Sequence, residues 1–147
     1  MSSNDLGRLG EQVFRFVMRE RGYTLEDVTS NSNYFDKDID FLVTSPFTGA
    51  VKSFEVKYDN CINYTGNLYL ETENIHSKQW DGDGWWLHCD ADYLAYGDAA
   101  TRNFHIIKLN ELKERVKELP ERLGHCGNES TGLLVSLADI KDITLTI

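Results

Sequence analysis

At 147 residues, with 41% hydrophobic, 27% charged and 12% aromatic composition, the chain has the size of one domain and buries roughly 70% of its unfolded surface. That composition excludes collagen, coiled coil and wholesale disorder, and a core of that size needs no disulfide or structural metal to hold it. The net charge of −9 counts against a nucleic-acid partner. Residues 61–100, however, carry seven acidic groups and one basic group, so six of the nine charges are local, and divalent cations bound there would offset them.

No apolar run approaches the roughly 18 residues of a membrane span, and MSSNDLGRLGEQ lacks the basic and apolar regions of a signal peptide. The expectation is a cytoplasmic chain with no membrane partner, with Cys61, Cys89 and Cys126 as reduced thiols. In chain order, Leu6, Leu9, Val13, Phe16 and Val17 recur at helical spacing and predict a helix from Asn4 to Arg21, stopped by Gly22. Tyr23 to Thr29 reads as a short strand and SNSNYFDKD as loop. Ile39, Phe41 and Val43 alternate with Asp38, Asp40 and Leu42 in a strand. A turn at SPFTGA leads into a second alternating strand, Val51 to Tyr58, and Asn67 to Thr72 is expected as the third strand of this meander. Glu73 to Asp90 reads as a long loop with a short helix near Ser77. Tyr93 to Tyr96 and Phe104 to Leu109 are strands. Asn110 is the expected cap of a helix carrying Leu112, Val116, Leu119 and Leu123, and Leu133 to Leu137 and Ile143 to Ile147 close one α/β domain over residues 1–147.

The chemistry concentrates in Asp38-Ile39-Asp40-Phe41 and Phe54-Glu55-Val56-Lys57. Alternation puts Asp38 and Asp40 on one face of their strand and Glu55 and Lys57 on one face of theirs. A hairpin joining the strands brings Asp40 beside Glu55, and two carboxylates at that distance repel unless a cation lies between them. Magnesium, which takes oxygen ligands and keeps several waters, suits Asp40, Glu55 and the Val56 carbonyl, and manganese substitutes for it. Lys57 would then orient or deprotonate an attacking water and offset transition-state charge. The plainer alternative is a solvated sheet face with surface ion pairs.

With Gly7-Arg8-Leu9-Gly10-Glu11 in the first helix, Asp40 leading a strand and Glu55-Val56-Lys57 in the next, the sequence resembles the PD-(D/E)xK nuclease superfamily. Lys57-Tyr58-Asp59, Thr65 to Glu71 and Ala91-Asp92-Tyr93 look like a group of small phage and mobile-element nucleases, a resemblance covering residues 5–98. It implies a restriction-endonuclease-like mixed sheet flanked by helices in αβββαβ order, and magnesium-dependent hydrolysis of DNA. It also implies that Asp40, Glu55, Lys57 and Glu11 are the catalytic set. The family's proline is absent, Lys37 or Asp38 standing in its place, so Asp38 or Asp40 is the ligand; Asp40 is favoured for its apolar neighbours. Glu11 falls at the edge of its helix's apolar face, able to meet sheet or solvent.

Asp38, Glu71 and Lys78 are further candidates for contacting substrate, Glu71 because it follows the Glu55-Val56-Lys57 strand; a strand-end acid and a solvated lysine are the plainer readings of the last two. Gln79 to Trp86 offers an aromatic wedge for bases, against a core role that three tryptophans in a small domain more often play. Asp81, Asp83 and Asp92 lack a full calcium-loop pattern, and His88-Cys89 with His125-Cys126 lack zinc spacing. The rival to a nuclease is a catalytically silent module binding a protein or nucleic acid. The sequence does not separate DNA from RNA, and cutting both strands of a duplex would favour a homodimer.

Overall fold

The computed structural model describes residues 2–147. Helix α1 (Ser3–Glu20) is opened by Ser2, whose hydroxyl accepts the Asp5 N–H at 3.1 Å while the Asp5 carboxylate accepts the Ser2 N–H. Its buried stripe is Gly10, Phe14 and Met18, whereas Leu9 and Phe16, expected inside, are 37% and 65% exposed. The rotation has a cause in residue 10. A Cβ there would lie 2.6 Å from Tyr58 Cγ, so glycine lets the helix backbone rest directly on Tyr58.

The remaining elements are β1 (Thr24–Asp27), α2 (Ser32–Phe35), β2 (Phe41–Thr44), β3 (Val51–Asp59), α3 (Ile62–Thr65), β4 (Asn67–Asn74) and a 3₁₀ turn at Trp85–Leu87. Then follow β5 (Tyr93–Asp98), β6 (Phe104–Lys108), α4 (Leu109–Glu118), β7 (Leu123–Cys126), β8 (Ser130–Ser136), a 3₁₀ segment at Leu137–Ile143 and β9 (Thr144–Thr146). Six strands form a mixed sheet in the order β1-β2-β3-β5-β6-β9, with β3 and β5 parallel, and β4-β8-β7 form a second, antiparallel sheet. The result is a mixed α/β protein with helices flanking the sheet.

The expected three-stranded meander is therefore corrected: β4 leaves the sheet and β3 takes β5 as its neighbour. Asp59 causes the departure. Its carboxylate accepts the N–H groups of Cys61 and Ile62 and the Tyr96 hydroxyl (2.6 Å), so the chain turns out of the sheet as β3 ends. The Tyr96 hydroxyl also accepts the Tyr69 N–H at 3.1 Å, which ties β4 over β5. The expected loop from Glu73 is likewise shortened by β4 reaching Asn74, and its helical turn sits at Trp85–Leu87 instead of near Ser77. Helix α4 begins one residue before Asn110 and stops at Glu118. Pro120 cannot continue it, so Leu123 belongs to β7.

Two apolar layers sandwich the six-stranded sheet. On one face Phe14 and Met18 of α1 meet Phe41, Val43, Phe54, Val56, Ala95 and Phe104. On the other, Leu68 and Leu70 of β4, Trp85, Trp86 and Leu112 of α4 meet Leu94, Tyr96 and Ile107. Beyond the end of α1, the first face opens into a cleft of about 560 Å³ lined by Met18, Val43, Phe54, Tyr93 and Ile106. Among the described residues no helix is long and apolar enough to cross a membrane.

Candidate active site

Phe54, Val56 and Tyr58 turn toward α1, so Glu55 and Lys57 point to the opposite face, under the second layer. The hairpin register pairs Phe41 with Phe54, and one step outside it Asp40 donates its N–H to the Phe54 carbonyl at 2.9 Å. There the ladder ends. The Asp40 carboxylate takes over from the backbone, its Oδ2 accepting the Val56 N–H at 2.9 Å. Asp38 adopts a left-handed backbone (φ 53) after the α2 turn, a conformation aspartate tolerates better than most residues. That bend returns its carboxylate to the same place.

Lys57 Nζ lies 2.9 Å from Glu55 Oε1, 3.6 Å from Asp38 Oδ2 and 4.6 Å from the centroid of the Trp85 ring. The Glu55 side chain is only 3% exposed, Asp38 17% and Lys57 27%. Burial raises the pKa of Glu55 well above the usual carboxylate range, with Asp38 and Asp40 adding to it and Lys57 opposing. Burial also raises Asp40, against the pull of the Val56 N–H and Lys57. For Lys57, burial favours the neutral amine, but Glu55, Asp38 and Asp40 prevail and hold the ammonium above its ordinary pKa. Glu11 is half-buried on α1, near enough to Asp40 and Lys57 to feel their charges. Burial, then Asp40 and Asp27, push it up to about 7, with Lys57 and Arg15 opposing.

The oxygens of this cluster exceed the donors available to them. Glu55 Oε2 and Asp38 Oδ2 are buried and, among the described residues, accept no hydrogen bond, a deficit that costs of order 1–3 kcal/mol for each such atom. A set of hard carboxylate oxygens with lone pairs to spare suits a hard divalent cation, so the residues present fit magnesium. Among the described residues no three acidic, histidine or cysteine side chains already converge as a ligand cage. Lys57 lies between Asp38 and Glu55, and Asp40 Oδ2 is turned to Val56.

The other candidates are placed apart from this cluster or in structural roles. Glu71 Oε2 accepts the Ser130 hydroxyl at 2.7 Å and the Asn74 side-chain amide at 3.3 Å, at the bulge of β4. Lys78 is exposed in the turn after β4. Trp85 and Trp86 are core residues, while Trp80 stacks on His88 with centroids 5.0 Å apart. His88 meets Asp83 and His125 meets Thr131, so the two His-Cys pairs do not come together. Asp92 binds Ser53, its Oδ2 accepting the Ser53 N–H at 2.9 Å.

Two residues weighed from the sequence in other roles, Trp85 as a wedge or core residue and Cys89 as half of a His-Cys pair, are neighbours of the site. Trp85 covers Lys57, and the buried Cys89 thiol donates to the Asp38 carbonyl at 3.5 Å. The one local signal was glycine at residue 84, which allows a close approach to β4. Comparison with protein-family models, with curated proteins and with solved structures returns no match.

Proposed function

We propose that this protein is a divalent-metal-dependent endonuclease that hydrolyses DNA phosphodiester bonds, in line with its resemblance to the PD-(D/E)xK nucleases. The observation that carries the reading is the buried Glu55 carboxylate, with one oxygen on Lys57 and the other unpartnered, beside Asp38 and Asp40 where the β2–β3 ladder ends. An ordinary solvated sheet face would not bury a carboxylate to 3% exposure and leave it short of donors.

Asp40, Glu55 and the Val56 carbonyl, with Asp38 at hand, would hold magnesium or manganese. Such an ion supplies Lewis-acid polarisation of a phosphoryl oxygen. Without metal, Glu55, Asp38 and Asp40 hold the Lys57 ammonium above its ordinary pKa; at the site Lys57 would orient or deprotonate the attacking water and meet negative charge on the phosphate. Glu11, which burial and Asp40 push up to about 7, would be one carboxylate able to take up a proton near neutrality. Arg8, Arg19 and Lys78 are exposed and available to phosphates.

The test is incubation of the purified protein with circular, linear, single-stranded and branched DNA, and with RNA, in magnesium, manganese or EDTA. Cleavage with either metal and none in EDTA supports the reading. Full activity in EDTA, or no cleavage of any substrate with either metal, favours a silent binding module instead.

A further inference from the structure

Lysine carries its ammonium on a flexible four-carbon stem, and among the described residues Glu55 Oε1 at 2.9 Å is its only short contact. Asp38 at 3.6 Å is too far for a normal hydrogen bond. The other boundary of the ammonium is the Trp85 ring, with Nζ 4.6 Å from its centroid, inside the range where the negative face of an indole attracts a cation. Lys57 is thus held between one carboxylate oxygen and one aromatic face, and its remaining side is turned to Asp38 and solvent.

The ring is itself fixed. Trp85 is 7% exposed and packs edge-on to Trp86 at 5.9 Å. Gly84 donates its N–H to the Thr72 carbonyl, and the Trp85 carbonyl accepts from His88 and Cys89. A Cβ at residue 84 would lie 2.7 Å from Glu71 Cγ, so glycine lets this segment lie against β4. The far end is pinned by Asp90, which donates its N–H to the Lys37 carbonyl at 2.8 Å, and by Lys113, which donates to the Cys89 carbonyl at 2.9 Å. The segment that carries Trp85 is therefore bonded to the same 37–38 stretch that carries Asp38.

We propose that Trp85 is a positioning residue: its ring face fixes the Lys57 ammonium against Glu55, so that one direction of the ammonium is left for the scissile phosphate or its attacking water. The functional half of this inference rests on the nuclease reading above; the geometric half does not. A residue that only filled the core would affect stability and leave Lys57 where it is.

The experiment compares the full-length wild type with Trp85→Phe and Trp85→Leu. Proton NMR of the Lys57 ε-methylene reads the geometry, and steady-state cleavage of DNA in magnesium reads the consequence. In the wild type the ε-methylene resonance should be shifted upfield by the ring current, less so in Trp85→Phe, and not at all in Trp85→Leu. Cleavage by Trp85→Leu should fall by about tenfold in kcat with KM within about twofold, and Trp85→Phe should recover most of the loss. Should the leucine variant not fold, the phenylalanine variant carries the comparison with a smaller shift and a smaller loss. An unshifted Lys57 resonance in the wild type, or an unchanged kcat in a folded Trp85→Leu protein, overturns the proposal. If the wild type cleaves nothing, the nuclease reading fails, and the Lys57 resonance alone decides whether Trp85 positions it.

Discussion

Asp40 serves the fold and the site at once. Its Oδ2 replaces a backbone carbonyl at the end of the β2–β3 ladder by accepting the Val56 N–H, while its charge stands beside Glu55 and Lys57. Asp40→Asn keeps an acceptor for Val56 and removes the charge. It should retain a melting temperature close to wild type yet lose most metal-dependent cleavage, whereas Asp40→Ala should lose both, the orphaned N–H costing of order 1–3 kcal/mol. Paired melts and rate measurements separate the two contributions. Asp38→Ala should be milder for activity than Asp40→Ala, because it removes no ladder contact; the reverse order would make Asp38 the principal ligand.

Glu11 gives a pH dependence with a definite sign. Its pKa rises from an ordinary 4.5 to about 7 on folding, so the folded protein binds the proton more tightly than the unfolded chain. Its contribution to stability is present below pH 4.5 and is lost as pH rises toward about 7; the raised Asp40 and Glu55 act in the same direction. In the absence of metal the protein should melt higher at about pH 5 than at about pH 8, and Glu11→Gln should flatten part of that slope. Glu11 is half-exposed, so solvent screening keeps its own share to of order 1 kcal/mol. A melting temperature that climbs over this interval would contradict the account.

At the scale of elements, Gly10 against Tyr58 and Gly84 against β4 set the positions of the groups around the site. Alanine at residue 10 should gain roughly 1 kcal/mol of helix propensity but force α1 off Tyr58, at a cost of about 1–3 kcal/mol. The clash wins. Gly10→Ala should therefore lower the melting temperature by a few degrees and displace Glu11 from the cluster; a rise in melting temperature would show that α1 does not rest on Tyr58 as described. This contact also explains what the sequence reveals and what it hides. Glu55 and Lys57 share a face because a strand alternates with period two, and a short hairpin fixes Asp40 opposite, so the central set is readable from local pattern alone. The orientation of Glu11 depends on how closely residue 10 approaches Tyr58. The place of β4 depends on Asp59 turning the chain out of the sheet and on β5 pairing in parallel with β3. The cover of Lys57 by Trp85 depends on β4 and α4 holding a segment nearly thirty positions downstream. These are long-range packing decisions, which hydrophobic periodicity does not encode.

At the scale of the whole molecule, the net charge of −9 and the buried carboxylates imply that the protein without metal is held below its attainable stability. A cation that binds only the folded state adds RT ln(1 + [L]/Kd), about 2.7 kcal/mol at a hundredfold excess over Kd. Manganese or magnesium should raise the melting temperature by several degrees, and sodium chloride at matched ionic strength, which only screens, should do less. The Asp40→Asn/Glu55→Gln protein should melt higher than wild type without metal and respond little to it. Equal metal-induced shifts in the two proteins would place the ions elsewhere, the acidic 81–92 stretch being the foremost candidate.

The most direct measurement is the initial rate of DNA cleavage by the wild type and by Glu55→Gln, side by side, in magnesium and in EDTA. Glutamine preserves the volume of a side chain that is almost fully buried and keeps an oxygen for Lys57, so the substitution tests the charge rather than the packing. The account expects rapid magnesium-dependent cleavage by the wild type, none in EDTA, and a loss of at least about a hundredfold in the variant, the scale on which removal of a single key catalytic group is felt. Cleavage by Glu55→Gln at the wild-type rate would contradict it.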